Sequence, residues 1–197
     1  MTRLFLCRHG ETDHNREEIL QGQKNTELNE TGEKQAENLA GRFAGMDIDA
    51  VYSSDLERAS QTAEKVARET GAPHREDERL RERSYGRFEG RPISTRYEAI
   101  EHGDELDEWE PEGGETVGEV RDRVSELLDE IESGYPEGVV VVVAHGWTNR
   151  ALLTDVLGAE DGRAHSIRQD NTTVNELEKE DFRGWRVNSI NDTSHLE

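Results

Sequence analysis

The sequence predicts an α/β chain, a three-layer α/β/α sandwich around a mostly parallel central sheet. Three observations carry that expectation. Two short apolar runs, Leu4-Phe5-Leu6-Cys7 and Val139 to Ala144, read as buried strands. Each ends abruptly in a histidine and a glycine, His9-Gly10 and His145-Gly146. Between and after them, strand-like runs alternate with stretches whose apolar residues recur at helical spacing, a pattern that calls for parallel strands joined by helical crossovers.

The elements follow in order. The first strand ends at Arg8, so His9 stands at a carboxyl end, where open α/β sheets place their ligands. Glu30-Thr31-Gly32 opens a helix in which Ala36, Leu39, Ala40 and Phe43 repeat at helical spacing, and Gly45 ends it. Asp49 to Ser53 reads as a second strand and Glu57 to Thr70 as a second helix, with Ala59, Ala63, Val66 and Ala67 inward. Arg58 then falls in that helix's first turn, where a guanidinium and a helix N-terminus together favour an anion. Residues 71–115 hold little apolar periodicity and many glycines, charges and prolines, so they read as loops with one short helix near Ser94 to Ile100. An irregular stretch of that length commonly serves as a lid or substrate wall. Thr116 to Ser133 is a helix whose Val117, Val120, Val124, Leu127, Leu128 and Ile131 form one stripe. The strand Val139 to Ala144, a helix from Thr148 to Leu157, and strands near Thr173 to Glu178 and Trp185 to Ile190 complete one domain over residues 1–197.

Four segments carry a more specific signal. Arg8-His9-Gly10-Glu11-Thr12 and Ala144-His145-Gly146 deliver two histidines to one sheet edge. Ser53-Ser54-Asp55-Leu56-Glu57-Arg58 places an arginine just past another strand, and Leu80-Arg81-Glu82 through Gly90 adds a carboxylate in a glycine-punctuated loop. In order, spacing and strand context these segments resemble the histidine phosphatase superfamily, the phosphoglycerate mutase-like family, over nearly the whole chain. Asp170 to Asn175 and Asn191 to Leu196 look like that family's last strands. The resemblance implies a phosphoglycerate mutase-like fold and an enzyme that handles a small phosphorylated metabolite without a cofactor.

Phosphoryl transfer asks for positive charge around the transferred oxygens and a nucleophile in line with the leaving oxygen. His9, Arg8, Arg58 and His145 can supply both. A neutral imidazole, with an unperturbed pKa of about 6.5, is a competent nucleophile near neutrality. Attack by His9 would give a phosphohistidine and split the reaction in two. Arg8 and Arg58 can each bond phosphate bidentately, and His145 is expected as a charged donor to the same oxygens. Gly10 and Gly146 are expected to let the backbone approach the phosphate. By the resemblance, Asn15 falls where the family places a phosphate-binding asparagine, and Gln21-Gly22 matches its substrate-facing Gln-Gly. A leaving alkoxide needs a proton from a positioned carboxylic acid, later its base. Glu82 matches the family's acid/base position; its rival Glu89 lies in a stretch, Gly86 to Gly90, that is mostly structural in the family.

Other chemistries are disfavoured by the residues. A cysteine phosphatase needs an arginine six positions after Cys7, and position 13 is Asp13; Cys7 reads as a small buried hydrophobe. His9, Asp13 and His14 are close in sequence without a recognised metal-ligand spacing, so no metal is expected. A bisphosphoglycerate-dependent mutase resembles the chain in every catalytic residue. Such mutases look longer, however, and tend to carry a tryptophan and an arginine where His14 and Ile19 stand. The stretch from His9 to Ala36 also looks like sugar-bisphosphate phosphatases of the family, and a catalytically dead binding module is disfavoured by the intact residue set.

Composition bounds the partners. At 197 residues the chain can bury about 70% of its unfolded surface. It carries 45 acidic against 24 basic residues, a net charge of −21, and only four of the basic residues are lysines. Such a surface repels nucleic acid and anionic membranes. Acid-rich, lysine-poor composition looks halophilic, since salt screens the self-repulsion of so many carboxylates; an ordinary acidic surface is the alternative. One cysteine excludes an internal disulfide. With no basic-apolar leader and no apolar stretch near ~20 residues, a cytoplasmic protein is expected, with a homodimer compatible with everything in the sequence.

Overall fold

A computed structural model of the chain describes residues 1–96, 109–180 and 184–197, except for the Asp161 side chain. Six strands form one sheet: β1 (Thr2–Arg8), β2 (Ala50–Ser53), β3 (His74–Glu76), β4 (Val139–Ala144), β5 (Val174–Glu180) and β6 (Gly184–Asp192), in the order β3-β2-β4-β1-β5-β6. β3, β2, β4 and β1 run parallel, whereas β5 is antiparallel to both β1 and β6. Helices α2 (Glu30–Arg42), α3 (Glu57–Thr70), α4 (Val117–Gly134) and α5 (Gly146–Val156) cover the two faces, and a single turn, α1 (Asp13–Arg16), follows β1.

Strand alternation sorts the core. Leu4, Leu6, Val140 and Val142 point to the face where Val124, Leu127, Leu128 and Ile131 of α4 and Leu152 and Leu153 of α5 pack. Phe5, Cys7, Val141 and Val143 point the other way, against Leu39, Ala40 and Phe43 from α2 and its exit and Ala59, Ala63 and Val66 of α3. Successive side chains of a strand leave on opposite faces, so one apolar run feeds both layers. A third cluster, containing Leu20, Tyr85, Phe88, Trp109, Val117, Val120 and Trp147, closes the carboxyl edge.

Helix ends follow their chemistry. Asn29 accepts the Gly32 N–H at the start of α2, and Thr116 and Glu119 form a capping box at the start of α4. α3 stops at Gly71 in the left-handed conformation (φ 74°).

Several sequence expectations need correction. Residues 71–115 are not all loop: β3 adds a parallel edge strand, and single turns of 3₁₀ helix form at Glu78–Leu80 and Gly86–Phe88. α5 begins at Gly146 rather than Thr148, because His145 itself is the N-cap residue. Asn191 to Leu196 does not continue as strand; β6 ends at Asp192 and Ser194–Leu196 is a 3₁₀ turn. The helix expected near Ser94 to Ile100 lies outside the described residues beyond Arg96. Among the described residues no helix is long and apolar enough to cross a membrane.

Candidate active site

The register of β1 with β4 builds the site. Arg8 pairs with Ala144, so the next residues, His9 and His145, leave the sheet side by side. The His9 N–H donates to the Ala144 carbonyl at 3.0 Å, and the two imidazole centroids stand 5.0 Å apart. His9 Nδ1–H donates to the Gly10 carbonyl at 2.7 Å. A carbonyl can only accept, so this bond fixes the proton on Nδ1 and leaves Nε2 as the lone-pair nitrogen. Arg58 Nε–H, 3.3 Å away, donates to that lone pair. The His9 carbonyl is itself held by the Asn171 side-chain amide at 3.0 Å and the Thr172 N–H at 3.2 Å.

Two guanidiniums flank this nitrogen. Arg58 is fully buried and donates to the carbonyls of Lys24 and Gly22 at 2.8 and 2.9 Å. Arg8 donates to the Gln169 carbonyl at 2.7 Å, and its Nε is buried without a hydrogen-bond partner among the described residues. Neither forms an ion pair among the described residues. Burial drives both down to about 10, far enough above neutrality that both remain cations. A low-dielectric cavity with two cations that form no ion pair among the described residues, and only Glu82 acting on both from a distance, attracts an anion.

Both histidines are neutral. Burial first, then the charges of Arg58 and Arg8, holds His9 well below the usual histidine value. His145 is held down in the same way, by burial, then Arg58, His9 and Arg8. Its expected charge is therefore corrected: next to two guanidiniums and out of water, the imidazolium is the disfavoured form. Both ring nitrogens of His145 are buried with no hydrogen-bond partner among the described residues.

Glu82 enters from the loop between β3 and α4. Its Oε1 accepts the Arg83 N–H at 2.9 Å and the Trp147 N–H at 3.1 Å, so the carboxylate sits on the first turn of α5. Glu89 is turned elsewhere: its Oε1 accepts from the Gln23 and Tyr85 backbone N–H groups and the Ser84 hydroxyl, closing the loop. Asn15 and Gln21 both meet Thr12, Asn15 as partner in the α1 capping box and Gln21 by accepting the Thr12 hydroxyl. Gly22 has φ 51°, and a Cβ there would collide with the Glu89 carboxylate.

A cavity of about 220 Å³ joins these groups, lined by Arg8, His9, Asn15, Gln21, Gly22, Arg58, Glu82 and Gly146. His145 stands behind them against His9, and Gly10 faces elsewhere: a Cβ on it would come within 2.6 Å of the Gly32 carbonyl of α2, so its glycine serves backbone packing rather than close approach to the cavity. Gly146 does face the cavity, where a Cβ would stand 3.2 Å from Arg150 Nη1, 3.7 Å from Glu82 Oε2 and 3.8 Å from Arg8 Nε.

The sequence reading missed the rest of the wall: Ile19, Leu20, Tyr85, Ile93, Arg96, Trp147 and Arg150. Arg150 donates to the Ile167 carbonyl at 2.8 Å and lies over the Trp147 ring, 5.2 Å from its centroid. One signal was available, since Arg150 lies four residues after Gly146 and so on the same side of α5, one turn on. Cys7 is buried beneath the site, its thiol pushed up to about 12 by burial, which leaves it protonated and unreactive. Among the described residues no three histidine, cysteine, aspartate or glutamate side chains gather as a metal site.

With this geometry in view, the chain matches the profile of the histidine phosphatase superfamily (branch 1) over residues 4–193. It is 35% identical to an uncharacterized phosphatase, PhoE, of Bacillus subtilis, over 100% of the chain and 97% of that protein. It is 33% identical to a probable phosphoglycerate mutase, GpmB, of Shigella boydii, over 100% of the chain and 96% of that protein. Among solved structures, a mycobacterial glucosyl-3-phosphoglycerate phosphatase in complex with VO3 superposes with a TM-score of 0.86 at 32% identity, covering 96% of the chain and 98% of the other.

Proposed function

The chain belongs to the histidine phosphatase superfamily, branch 1, and from that premise we propose that it hydrolyses a small phosphorylated metabolite through a phosphohistidine on His9. The observation that carries this is the neutral His9, whose Nε2 lone pair sits beside a cavity-lining guanidinium, Arg58, while Arg8 supplies a second cation. A dianionic phosphate displaces the Arg58 N–H from that lone pair and takes the guanidiniums' donors onto its oxygens. Nε2 then attacks phosphorus as the bond to the leaving oxygen breaks, and that oxygen receives its proton from Glu82 in its acid form. Water next attacks the phosphoryl group, giving its proton to the Glu82 carboxylate, and phosphate leaves with His9 restored. His145, with two buried ring nitrogens that have no partner among the described residues, stands next to His9 and serves as a neutral donor, giving the N–H its ring already carries to a phosphoryl oxygen.

The rest of the wall sets the leaving group. Arg150 and Glu82 both line the cavity near Gly146, which suits a leaving group bearing a carboxylate or a second phosphate on that side. The relatives bear on the choice between hydrolysis and phosphoryl shuttling. The match to a probable mutase spans 96% of that protein, so length does not separate the two activities. Ile19 does favour hydrolysis: it lines the cavity where mutases tend to carry an arginine. The test is a rapid acid- and base-quench with labelled phosphoserine and 3-phosphoglycerate. Hydrolysis predicts acid-labile, base-stable label on His9, free phosphate as product, and neither in His9→Ala; accumulation of 2-phosphoglycerate without phosphate release would assign the mutase reaction instead.

A further inference from the structure

Four hydrogen bonds close a ring around the proposed nucleophile. His9 Nδ1–H donates to the Gly10 carbonyl at 2.7 Å, and the Gly10 N–H donates to Thr62 Oγ1 at 3.1 Å. The Thr62 hydroxyl donates to the Arg58 carbonyl at 2.7 Å, and Arg58 Nε–H returns to His9 Nε2 at 3.3 Å. Thr62 lies in α3 and is fully buried; unlike His9 and Arg58, it does not line the cavity. A helical threonine commonly bonds back to the carbonyl four residues earlier. Here the same oxygen also receives an N–H from a residue 52 positions away in sequence, on the loop leaving β1.

The ring has one direction. The Arg58 carbonyl can only accept, so it claims the Thr62 proton and leaves Oγ1 as the acceptor for Gly10. The Gly10 carbonyl can only accept, so it claims the proton of His9 Nδ1. Three backbone and side-chain partners thereby dictate which imidazole nitrogen carries the lone pair and where that nitrogen stands relative to Arg58. Thr62 is the link between the strand that carries His9 and the helix that carries Arg58.

We propose that Thr62 is a positioning residue for the nucleophile, holding His9 in the Nδ1–H tautomer through Gly10 and fixing it against Arg58; this rests on the assignment of His9 as nucleophile. Without the hydroxyl, the buried Gly10 N–H has lost its acceptor. Gly10 has the backbone freedom to turn away and take its carbonyl off Nδ1. Phosphate binding through Arg8 and His145 is left in place, so the loss falls on the chemical step.

The experiment compares Thr62→Ser, which keeps the hydroxyl, with Thr62→Val and Thr62→Ala, which remove it with and without the γ-branch volume. Tautomer-sensitive ¹H–¹⁵N spectra of His9 in the substrate-free protein are read beside kcat and KM on phosphoserine. We expect wild type and Thr62→Ser to show a single Nδ1–H tautomer and similar kcat. Thr62→Val and Thr62→Ala should show mixed tautomers and a kcat lower by about 10–10²-fold, the scale of a small misplacement of a reacting group, with KM within about threefold. A wild-type tautomer with wild-type kcat in either hydroxyl-free variant overturns the proposal, as does an equal loss in Thr62→Ser. Unfolding of both hydroxyl-free variants beside a folded Thr62→Ser also overturns it, by assigning the hydroxyl to stability alone. If wild type turned over no phosphate ester, the function itself would fail while the tautomer comparison still judged Thr62.

Discussion

Two imidazoles buried 5.0 Å apart next to two guanidiniums tie the chemistry of the site to the stability of the fold. His9 and His145 are both held well below the ordinary value, largely by burial, so the folded chain refuses protons that the unfolded chain accepts near 6.5. Above that pH both states are neutral and nothing is lost. As pH falls below about 6.5 the unfolded state gains protons and stability drops, by up to about 1.4 kcal/mol per pH unit for each histidine. The carboxylates held down by arginines, among them Asp55, Asp77 and Asp192, lose their contribution only below their unfolded value near 4, so the two windows separate. In phosphate-free buffer each of the two histidines costs about 1 kcal/mol between pH 6.5 and 5.5, so together they should lower the melting temperature by roughly 4–8 °C, at about 2–4 °C per kcal/mol for a chain of this size. His145→Asn should show a smaller fall, the remainder coming from His9 and from His74 and His195, which burial also holds below the ordinary value; an unchanged slope would mean that His145 is not neutral in the folded state. The same depression keeps Nε2 of His9 unprotonated, so the proposed nucleophile remains available on the acid side of neutrality.

At the scale of elements, the Glu82 loop and α5 share one carboxylate. It accepts the Trp147 N–H at the first turn of α5 while facing the cavity. Glu82→Gln keeps an acceptor for that N–H, so melting should change little, whereas turnover of an alkyl phosphate should fall by about 10²–10⁴-fold and that of an activated aryl ester much less. Equal losses on both esters would move the proton donor elsewhere. The strand ends and helix stripes that bring these groups together were legible because their periods are strong: Val139 to Ala144 has no reading but buried strand, and Val117 to Ile131 keeps one apolar face. β3 was not legible, since His74-Arg75-Glu76 contains no apolar residue and owes its strand to pairing with Val51, Tyr52 and Ser53. α1 is a single turn set by the Thr12–Asn15 cap rather than by any periodicity. Of the site, strand-end position picked out His9 and His145, but the neutrality of His145 depends on burial that no sequence pattern displays. The role given to Gly10 failed for a similar reason: what crowds it is Gly32 of α2, a contact between segments 22 positions apart.

At the scale of the molecule, the charge of −21 surrounds a cavity that must attract an anion. The arginines are engaged: Arg79 bridges Asp77 and Glu130, Arg123 meets Glu115, Arg42 meets Asp192 and Arg81 meets Asp55. With nearly twice as many acidic as basic residues, the remaining carboxylates repel one another and oppose the approach of a phosphate ester. Salt acts on both effects, because the Debye length falls from about 10 Å at 0.1 M to about 3 Å at 1 M. The surface ion pairs are screened too, but exposed pairs contribute only ~0–1 kcal/mol each, so their loss is small beside the relief of general repulsion. Arg58, fully buried, and Arg8 act over contact distances inside the cavity and are screened least. Melting temperature and kcat/KM should therefore both rise as potassium chloride goes from about 0.1 M to above ~1 M, with KM for the phosphate ester falling or holding steady. A mesophilic acidic enzyme would instead lose substrate affinity across the same series. Melting curves and initial rates on one ester, at constant pH, decide it: maximal stability together with maximal kcat/KM at the lowest salt would show that self-repulsion is not what limits this fold, and would leave the chemistry at His9 untouched.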